Sequence, residues 1–334
     1  MPFSIQARDL PNKGIHMTAR KWGESFLKSG LPLEHLTQVT LRDMGWSCTA
    51  QPEFKRLNRE SVETWFELDL MAESPNKNLD TSLLFIIECK YHDTNRHWFF
   101  LPLSSPGRWQ FDERVLNCGP FQTLLKPKDS SLLKSAPLSS GGIVVSEDGK
   151  KQENAVYTAI QQLANGFVPC ALSWMFSYNI NFRISENELS FIPNATALIP
   201  VIVTNAKLYR LRESVTDLDT IRSASTPADI ADDLEWTWYY HDPSRALFDQ
   251  NRDAILAHRK TDPQLIYRFP FVNERMSEFK SRPNWIAVIN IKALAKATAD
   301  IQKQFLAMDT QSIDAFIRRP KKSRQRRPSR HQPS

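Results

Sequence analysis

The sequence of 334 residues lacks the features that define several large protein classes. No apolar run approaches the roughly 20 residues that a transmembrane helix requires, and the N-terminus lacks the basic-then-apolar layout of a secretory signal peptide. The sequence also contains no internal repeat, no glycine-rich phosphate loop and no dinucleotide-binding fingerprint. We therefore expect a cytoplasmic protein with no membrane segment and no ATP-driven motor activity.

Cysteine is also scarce in this chain. The four cysteines, Cys48, Cys89, Cys118 and Cys170, are too far apart in sequence for a CxxC-type metal site. Four thiols in a chain of this length do not indicate a disulfide framework either. We expect reduced and mostly buried cysteines.

Positive charge is abundant but is concentrated at one end of the chain. The sequence has 43 basic and 37 acidic residues, a formal net charge of +6. Residues 318–334 contain eight of the basic residues and no acid, so the rest of the chain holds 35 (43 − 8) basic against 37 acidic residues. This segment is nearly free of apolar residues, which predicts a basic disordered tail. The tail is expected either to contact nucleic acid or to act as a solubilising extension.

Composition divides the remaining chain into a core at 15–215 and a C-terminal α/β extension at 216–317. Within the core, residues from about 98–150 are rich in Gly, Pro and Ser, which indicates an insertion. The extension contains strand candidates at residues 236–240 and 285–291. The sequence leaves open whether these strands join the sheet of the core.

The most informative stretch is a pair of apolar runs. Apolar and polar residues alternate from Phe66 to Met71, which predicts one strand with an apolar face. Leu83 to Ile87 is apolar on both faces, which predicts a strand in the centre of a sheet. If the two strands pair as a hairpin, Asp69 lies beside the end of the second strand.

Charged residues end the second strand. Glu88 and Lys90 are two residues apart, so their side chains leave a strand on the same face. The carboxylates of Asp69 and Glu88 would be costly at the end of a buried strand unless something compensated their charge. A hard divalent cation held by Asp69, Glu88 and water would do so, with Lys90 facing the anion that the cation attracts.

This arrangement of Asp69, followed nineteen residues later by Glu88-Cys89-Lys90, resembles the signature of the PD-(D/E)XK nucleases. It is similar to the branch that contains Mrr-like restriction endonucleases and Holliday-junction resolvases. One position differs, because Leu68 stands where the signature has proline. The resemblance implies an α/β fold with a restriction-endonuclease-like mixed central sheet flanked by helices, here with an insertion and a C-terminal α/β extension.

The resemblance also implies a glutamate on the first helix that reaches the metal site. Pro32 suits the first turn of a helix, and Gly45 suits its C-terminal cap. Glu34, eleven residues before Gly45, best fits the family position, and Glu24 is the alternative. On the residues alone, Glu34 is a first-turn acid that stabilises the helix dipole.

The activity that the resemblance implies is hydrolysis of DNA phosphodiester bonds with Mg²⁺ or Mn²⁺, in restriction, defence or DNA repair. Asp69, Glu88 and Glu34 would bind the metal, and Lys90 would orient the attacking water or stabilise the developing anion. DNA is the expected partner; a homodimer, and protein partners bound through the 98–150 insertion, are further expectations. The alternative is a non-catalytic DNA-binding or protein-interaction module that keeps the nuclease fold.

Two further patterns make structural predictions. The apolar stripe of residues 153–166 predicts an amphipathic helix capped by Gly166. Its Gln161 and Gln162 do not match the glutamine motif of RecB-like relatives and are interpreted as surface or capping residues. Two apolar runs within residues 197–211 predict a hairpin.

Overall fold

A computed structural model of the protein describes residues 13–57, 63–74, 81–92, 96–103, 135–146, 155–179, 195–241 and 285–306, together with residues 249 and 253. The predicted basic tail at 318–334 lies outside the described residues. So does the middle of the predicted insertion, residues 104–134.

The described strands are, in chain order, β1 (Ser47–Ala50), β2 (Glu53–Leu57), β3 (Glu63–Glu67), β4 (Leu70–Glu73), β5 (Thr81–Lys90), β6 (Arg96–Pro102), β7 (Leu138–Ser146), β8 (Ala195–Thr204), β9 (Lys207–Leu211), β10 (Ala231–Leu234), β11 (Trp236–Tyr240) and β12 (Trp285–Asn290). The helices are α1 (Lys13–Lys28), α2 (Leu31–Asp43), α3 (Ala155–Asn179), α4 (Leu218–Ser223), α5 (Pro227–Ile230) and α6 (Leu294–Leu306). None of the helices in these residues combines the length and the apolar character that crossing a membrane would take.

These elements form a mixed α/β fold around a large mixed sheet flanked by helices. Ten strands pair in the order β1-β4-β5-β8-β12-β11-β7-β6-β9-β10, and β2 and β3 form a separate ribbon. β5 is hydrogen-bonded to β4 and β8, and residues 83–88 are buried, as the doubly apolar run predicts. The C-terminal strands β11 and β12 lie in the middle of the ten-stranded sheet. The described part of residues 216–317 therefore completes the sheet of the core, and so do β6 and β7 from the predicted insertion.

The sheet curls around α3. β8 and β9 are joined by only two residues, yet five steps of the strand order separate them. Three successive Cα–Cα steps reach about 11 Å, whereas five strand spacings in a flat sheet measure about 24 Å. The sheet therefore folds over, and α3 packs against both halves. The predicted hairpin at 197–211 is wrong: β8 pairs with β5 and β12, and β9 pairs with β6 and β10.

The segment after β5 and the two-residue link between β8 and β9 run side by side where the sheet turns. His92, just after β5, donates its backbone N–H to Asn205 Oδ1 (2.7 Å), and Asn205 Nδ2 donates to the His92 carbonyl (2.6 Å). Asn290, at the end of β12, donates through Nδ2 to the Ala206 carbonyl (2.8 Å). These bonds satisfy backbone groups that leave the ladders at the corner. They also hold the C-terminal ends of β5, β8 and β12 together.

Helices cover the two faces of the sheet. On one face, α2 and α6 pack on a cluster that includes Leu41, Phe85 and Ile301. On the other face, α3 contributes Ile160 and Leu163 to a second cluster. Both faces of the central strands are therefore covered. The C-terminal end of β5 lies between α2 on one face and α3 on the other.

α3 is longer than predicted, because Gly166 does not end it. The helix continues to Asn179, and Gly166 lies where the helix meets the fully buried Leu68. A Cβ atom built on Gly166 would lie only 2.9 Å from Leu68 Cδ2. Glycine therefore serves here for close approach between a helix and a loop, and not as a cap.

This contact predicts that Gly166→Ala destabilises the protein by about 1–3 kcal/mol through overpacking against Leu68. Gly23→Ala is the matched control, since Gly23 is also helical and a Cβ there would meet no atom within 4 Å. The control should be neutral or stabilising by up to about 1 kcal/mol. Urea unfolding of both variants measures the difference. Equal effects of the two substitutions would show that Leu68 is free to move aside.

Candidate functional site

Asp69 lies at a break between two strands. The predicted single strand across residues 66–71 is wrong, because β3 ends at Glu67 and β4 begins at Leu70. At the break, the Gln51 N–H donates to the Asp69 carbonyl (3.0 Å), and Gln51 itself has a left-handed φ of 46°. The chain bends here, which frees the Asp69 side chain to approach the end of β5.

The Asp69 carboxylate is anchored to β5. Its Oδ2 accepts a hydrogen bond from the backbone N–H of Cys89 (2.6 Å). β4 pairs with β5 so that Leu70 lies opposite Ile87, and the condition set in the sequence analysis therefore holds for the end of the first apolar run, Leu70 and Met71. Continued by one residue, the same register puts Asp69 opposite Glu88. The side chain therefore satisfies a backbone donor and is fixed beside the second carboxylate.

Glu88 is buried at the end of β5, with a side-chain exposure of 0%. Its Oε2 accepts a hydrogen bond from Lys90 Nζ (3.1 Å). Its Oε1 is buried and has no hydrogen-bond partner among the described residues. Asp69 cannot supply the missing donor while it is ionised, because an ionised carboxylate only accepts hydrogen bonds.

Burial raises the pKa of Glu88 from its ordinary 4.5 to about 8, and the negative charge of Asp69 adds to the rise. The Lys90 ammonium acts in the opposite direction. The two carboxyl groups are close enough to share a hydrogen bond when Glu88 carries a proton. A proton or a cation between them therefore removes the repulsion between the buried Glu88 carboxylate and the partly buried Asp69 carboxylate.

Lys90 connects the Glu88 carboxylate to α3. Its Nζ donates to Gln162 Oε1 (2.7 Å) as well as to Glu88, and 21% of its side chain is exposed. Gln162 is exposed, in agreement with its interpretation as a surface residue, but its amide also accepts the hydrogen bond from the lysine. Only the position of α3 against β5 brings the two residues together, 72 positions apart in sequence.

Glu34 approaches the site from the first turn of α2. Partial burial raises the pKa of its carboxyl group, and the charges of Asp69 and Glu67 raise it further, while Lys90 lowers it. α2 ends at Asp43, and Gly45, predicted as its C-terminal cap, has a φ of 83° that allows the turn into β1. The electrostatic interactions of Glu34 with Asp69 and Lys90 favour Glu34 as the helix glutamate near the site. The alternative, Glu24, lies on α1.

The two central carboxyl groups suit a hard divalent cation. Glu88 Oε1 lacks a donor, and Asp69 lies beside it, so a cation there would satisfy both groups. In the part of the chain that the structure describes, no three His, Cys, Asp or Glu side chains are grouped as metal ligands. The charges of Glu34 and Asp69 interact, and the role of Glu34 as a third ligand stays a prediction. Mg²⁺ commonly uses one or two protein carboxylates and takes its other oxygens from water and phosphate.

Comparison of the chain with protein-family models, with curated proteins and with solved structures finds no significant match.

The pKa of Glu88 predicts a pH dependence of stability in metal-free protein. A pKa of about 8 in the folded state, against 4.5 ordinarily, means that the contribution of Glu88 is complete below pH 4.5 and is lost as the pH rises through about 8. Unfolding by urea in EDTA should therefore show wild type losing stability relative to Glu88→Gln between pH 5 and pH 8. Mg²⁺ should restore stability at pH 8 in wild type only.

Glu213→Gln, at an exposed position, is the control and should follow wild type at every pH. A difference between wild type and Glu88→Gln that stays constant from pH 5 to pH 8 would contradict the assignment of this pKa.

Proposed function

We propose that the protein is a metal-dependent endonuclease that hydrolyses DNA phosphodiester bonds, with Mg²⁺ or Mn²⁺ as its cofactor. One observation carries the proposal. The carboxyl groups of Asp69 and Glu88 lie together at the end of a buried strand, one Glu88 oxygen lacks a donor, and the Lys90 ammonium stands beside them. Paired carboxylates suit a hard cation, and an adjacent ammonium suits an anionic substrate.

The arrangement of these residues supports the resemblance to the PD-(D/E)XK nucleases. The two parts of the signature are nineteen residues apart in sequence, and pairing of β4 with β5 makes Asp69 and Glu88 neighbours. Glu34, on α2, interacts electrostatically with Asp69 and Lys90, which supports the helix glutamate that the resemblance implies, although a further helix, α1, precedes α2. A large mixed sheet flanked by helices is also what a restriction-endonuclease-like fold requires, and we include that fold in the proposal.

Asp69 and Glu88 would hold the cation in this mechanism. When bound, Mg²⁺ acts as a Lewis acid toward the scissile phosphate and lowers the pKa of the attacking water. Asp69 is already positioned for this role by the Cys89 N–H, so it needs no reorganisation. Glu88 would give up its proton on binding, because a ligand carboxylate must be ionised. Glu34 would add negative charge that attracts the cation.

Lys90 would act on the phosphate and the attacking water. Its ammonium is partly exposed, so one side of it can face a substrate, while Glu88 and Gln162 hold the other side. In that position it can orient the water or stabilise the negative charge that develops on the phosphate. Gln162 would be a positioning residue that keeps the ammonium at the end of β5.

One observation favours the alternative, a non-catalytic DNA-binding or protein-interaction module with the same fold. The described residues contain no complete three-ligand metal group. In such a module, Asp69 would serve only to accept the hydrogen bond from Cys89. Lys90 would serve only to compensate the charge of the buried Glu88. It would bind its partner in EDTA as well as in Mg²⁺ and would leave DNA intact.

Cleavage of supercoiled plasmid in Mg²⁺, in Mn²⁺ and in EDTA tests the proposal. We expect metal-dependent nicking or linearisation in wild type and a loss on the order of 10³-fold or more in Asp69→Asn. Lys90→Ala should lose turnover but keep its affinity for Mn²⁺ in calorimetry, because the lysine is not a ligand. Glu88→Gln should lose both.

Asp219→Asn is the matched control, since Asp219 lies on α4 with 88% of its side chain exposed. It should cleave like wild type. Wild-type activity in Asp69→Asn, or binding of DNA without cleavage in every metal, would overturn the proposal and leave the non-catalytic alternative.

A further inference from the structure

His92 lies on the same face of the chain as the charged groups of the proposed site. Glu88, Lys90 and His92 alternate along an extended segment, so their side chains leave it on one face. That face is directed at α3, because Lys90 bonds to this helix and the His92 ring packs edge-on against Trp98 of the cluster that α3 completes. Two residues of extended chain reach at most about 7 Å. His92 therefore stands next to Lys90 at the end of β5.

Contacts on two sides fix the His92 side chain. Its backbone exchanges two hydrogen bonds with the Asn205 side chain. Its ring lies 5.5 Å from the Trp98 ring, centroid to centroid, and only 5% of the residue is exposed. A ring that is held in this way by packing and by its backbone has a fixed orientation, so it can position a neighbouring group.

The group that this ring positions is the guanidinium of Arg96. Arg96 Nη1 lies 3.4 Å from His92 Nδ1. Arginine only donates hydrogen bonds, so Nδ1 is the acceptor and the ring is neutral, with its proton on Nε2. An ion pair with a carboxylate would orient a guanidinium and also cancel its charge. The bond to His92, in contrast, orients Arg96 and leaves the positive charge intact.

Arg96 and Lys90 lie on opposite sides of the corner where the sheet turns. Lys90 ends β5, and Arg96 begins β6, in the half of the sheet that folds back over α3. Arg96 and Trp98 alternate along β6, so the arginine also leaves its strand on the α3 face. Both cationic residues are partly exposed, so a ligand in solution can reach each of them. His92 thus places a second cation near the first.

Two neighbouring cations suit two neighbouring phosphates of one nucleic-acid strand. Lys90 stands beside the proposed metal site and would face the scissile phosphate. The guanidinium of Arg96 offers a planar fork of N–H donors, which matches a phosphate better than a single ammonium does. Arg96 lies outside the pair of carboxylates, so it would contact a phosphate at which no reaction occurs.

We propose that Arg96 binds the phosphate next to the scissile one on the strand that is cut. The contact holds the strand in register, so that the scissile phosphate lies against Lys90 and the two carboxylates. It requires a charged phosphate on one side of the cut, so the substrate is a strand that continues past the cleaved bond on that side. The inference rests on the proposed nuclease function and adds to it a specific contact with the substrate.

A single methylphosphonate in a DNA duplex tests this contact, because it replaces one charged phosphate by a neutral one. Cleavage in Mg²⁺ is mapped bond by bond on an end-labelled strand, with and without the modification. Wild type should lose cleavage at the modified bond and should also lose about tenfold or more at one adjacent bond, since a charge-assisted hydrogen bond is removed there. In Arg96→Gln, cleavage of the adjacent bond should be low in both duplexes, and the modification should add no further loss.

Arg222→Gln is the matched control. It removes the same charge from α4, where 74% of the Arg222 side chain is exposed. It should show the same loss at the adjacent bond as wild type. Normal cleavage of both adjacent bonds by wild type, or a variant Arg96→Gln that is as sensitive to the modification as the control, would overturn the proposal. The wild-type result needs no variant, so it decides the matter even if Arg96→Gln does not fold.

DNA binding in EDTA separates this contact from the nuclease function. Arg96→Gln should lower the slope of log K against log salt by about 0.9, for the one phosphate that it no longer neutralises, and Arg222→Gln should leave the slope unchanged. A protein that binds DNA with this difference but cuts it in no metal would overturn the nuclease function and retain the phosphate contact of Arg96. Equal slopes for the two variants, or no DNA binding by wild type, would overturn the contact itself.

Discussion

Burial of the Glu88 carboxyl group beside Asp69 is the constraint on which the site depends. Ionisation of the buried Glu88 next to the partly buried Asp69 is costly without a compensating charge. Lys90 supplies part of that charge, but its bond is to one Glu88 oxygen, and the other oxygen lacks a donor. Burial and the charge of Asp69 raise the pKa of Glu88 to about 8, which favours a proton on Glu88 in metal-free protein near neutral pH. The same deficit gives a divalent cation a reason to bind.

The fold holds this unfavourable pair in place through contacts on three sides. The break between β3 and β4 turns Asp69 toward the Cys89 N–H, and the ten-stranded sheet keeps β5 in its centre. α3, enclosed by the curled sheet, holds Lys90 through Gln162 and supports the break through the contact of Gly166 with Leu68. One helix thus contacts Lys90 and also Leu68, the residue next to Asp69.

Features set by local sequence were predictable, and features set by distant contacts were not. The apolar run of β5 predicted a central strand, and Gly45 predicted the end of α2, because each depends on neighbouring residues only. The prediction of Gly166 as a cap was wrong, because glycine is needed there for contact with Leu68, almost a hundred residues away in sequence. The role of Gln162 likewise depends on how α3 lies against β5. The hairpin predicted at 197–211 failed because pairing with other strands outweighs a local turn signal.

The claim at the centre of this account is that Asp69 and Glu88 share one divalent cation. Anomalous diffraction from crystals soaked in Mn²⁺ tests it most directly, because the metal is located without reference to activity. The account predicts one Mn²⁺ peak at about 2.0–2.3 Å from an oxygen of each carboxylate. A peak elsewhere, or none while Lys90 remains bonded to Glu88, would contradict the claim.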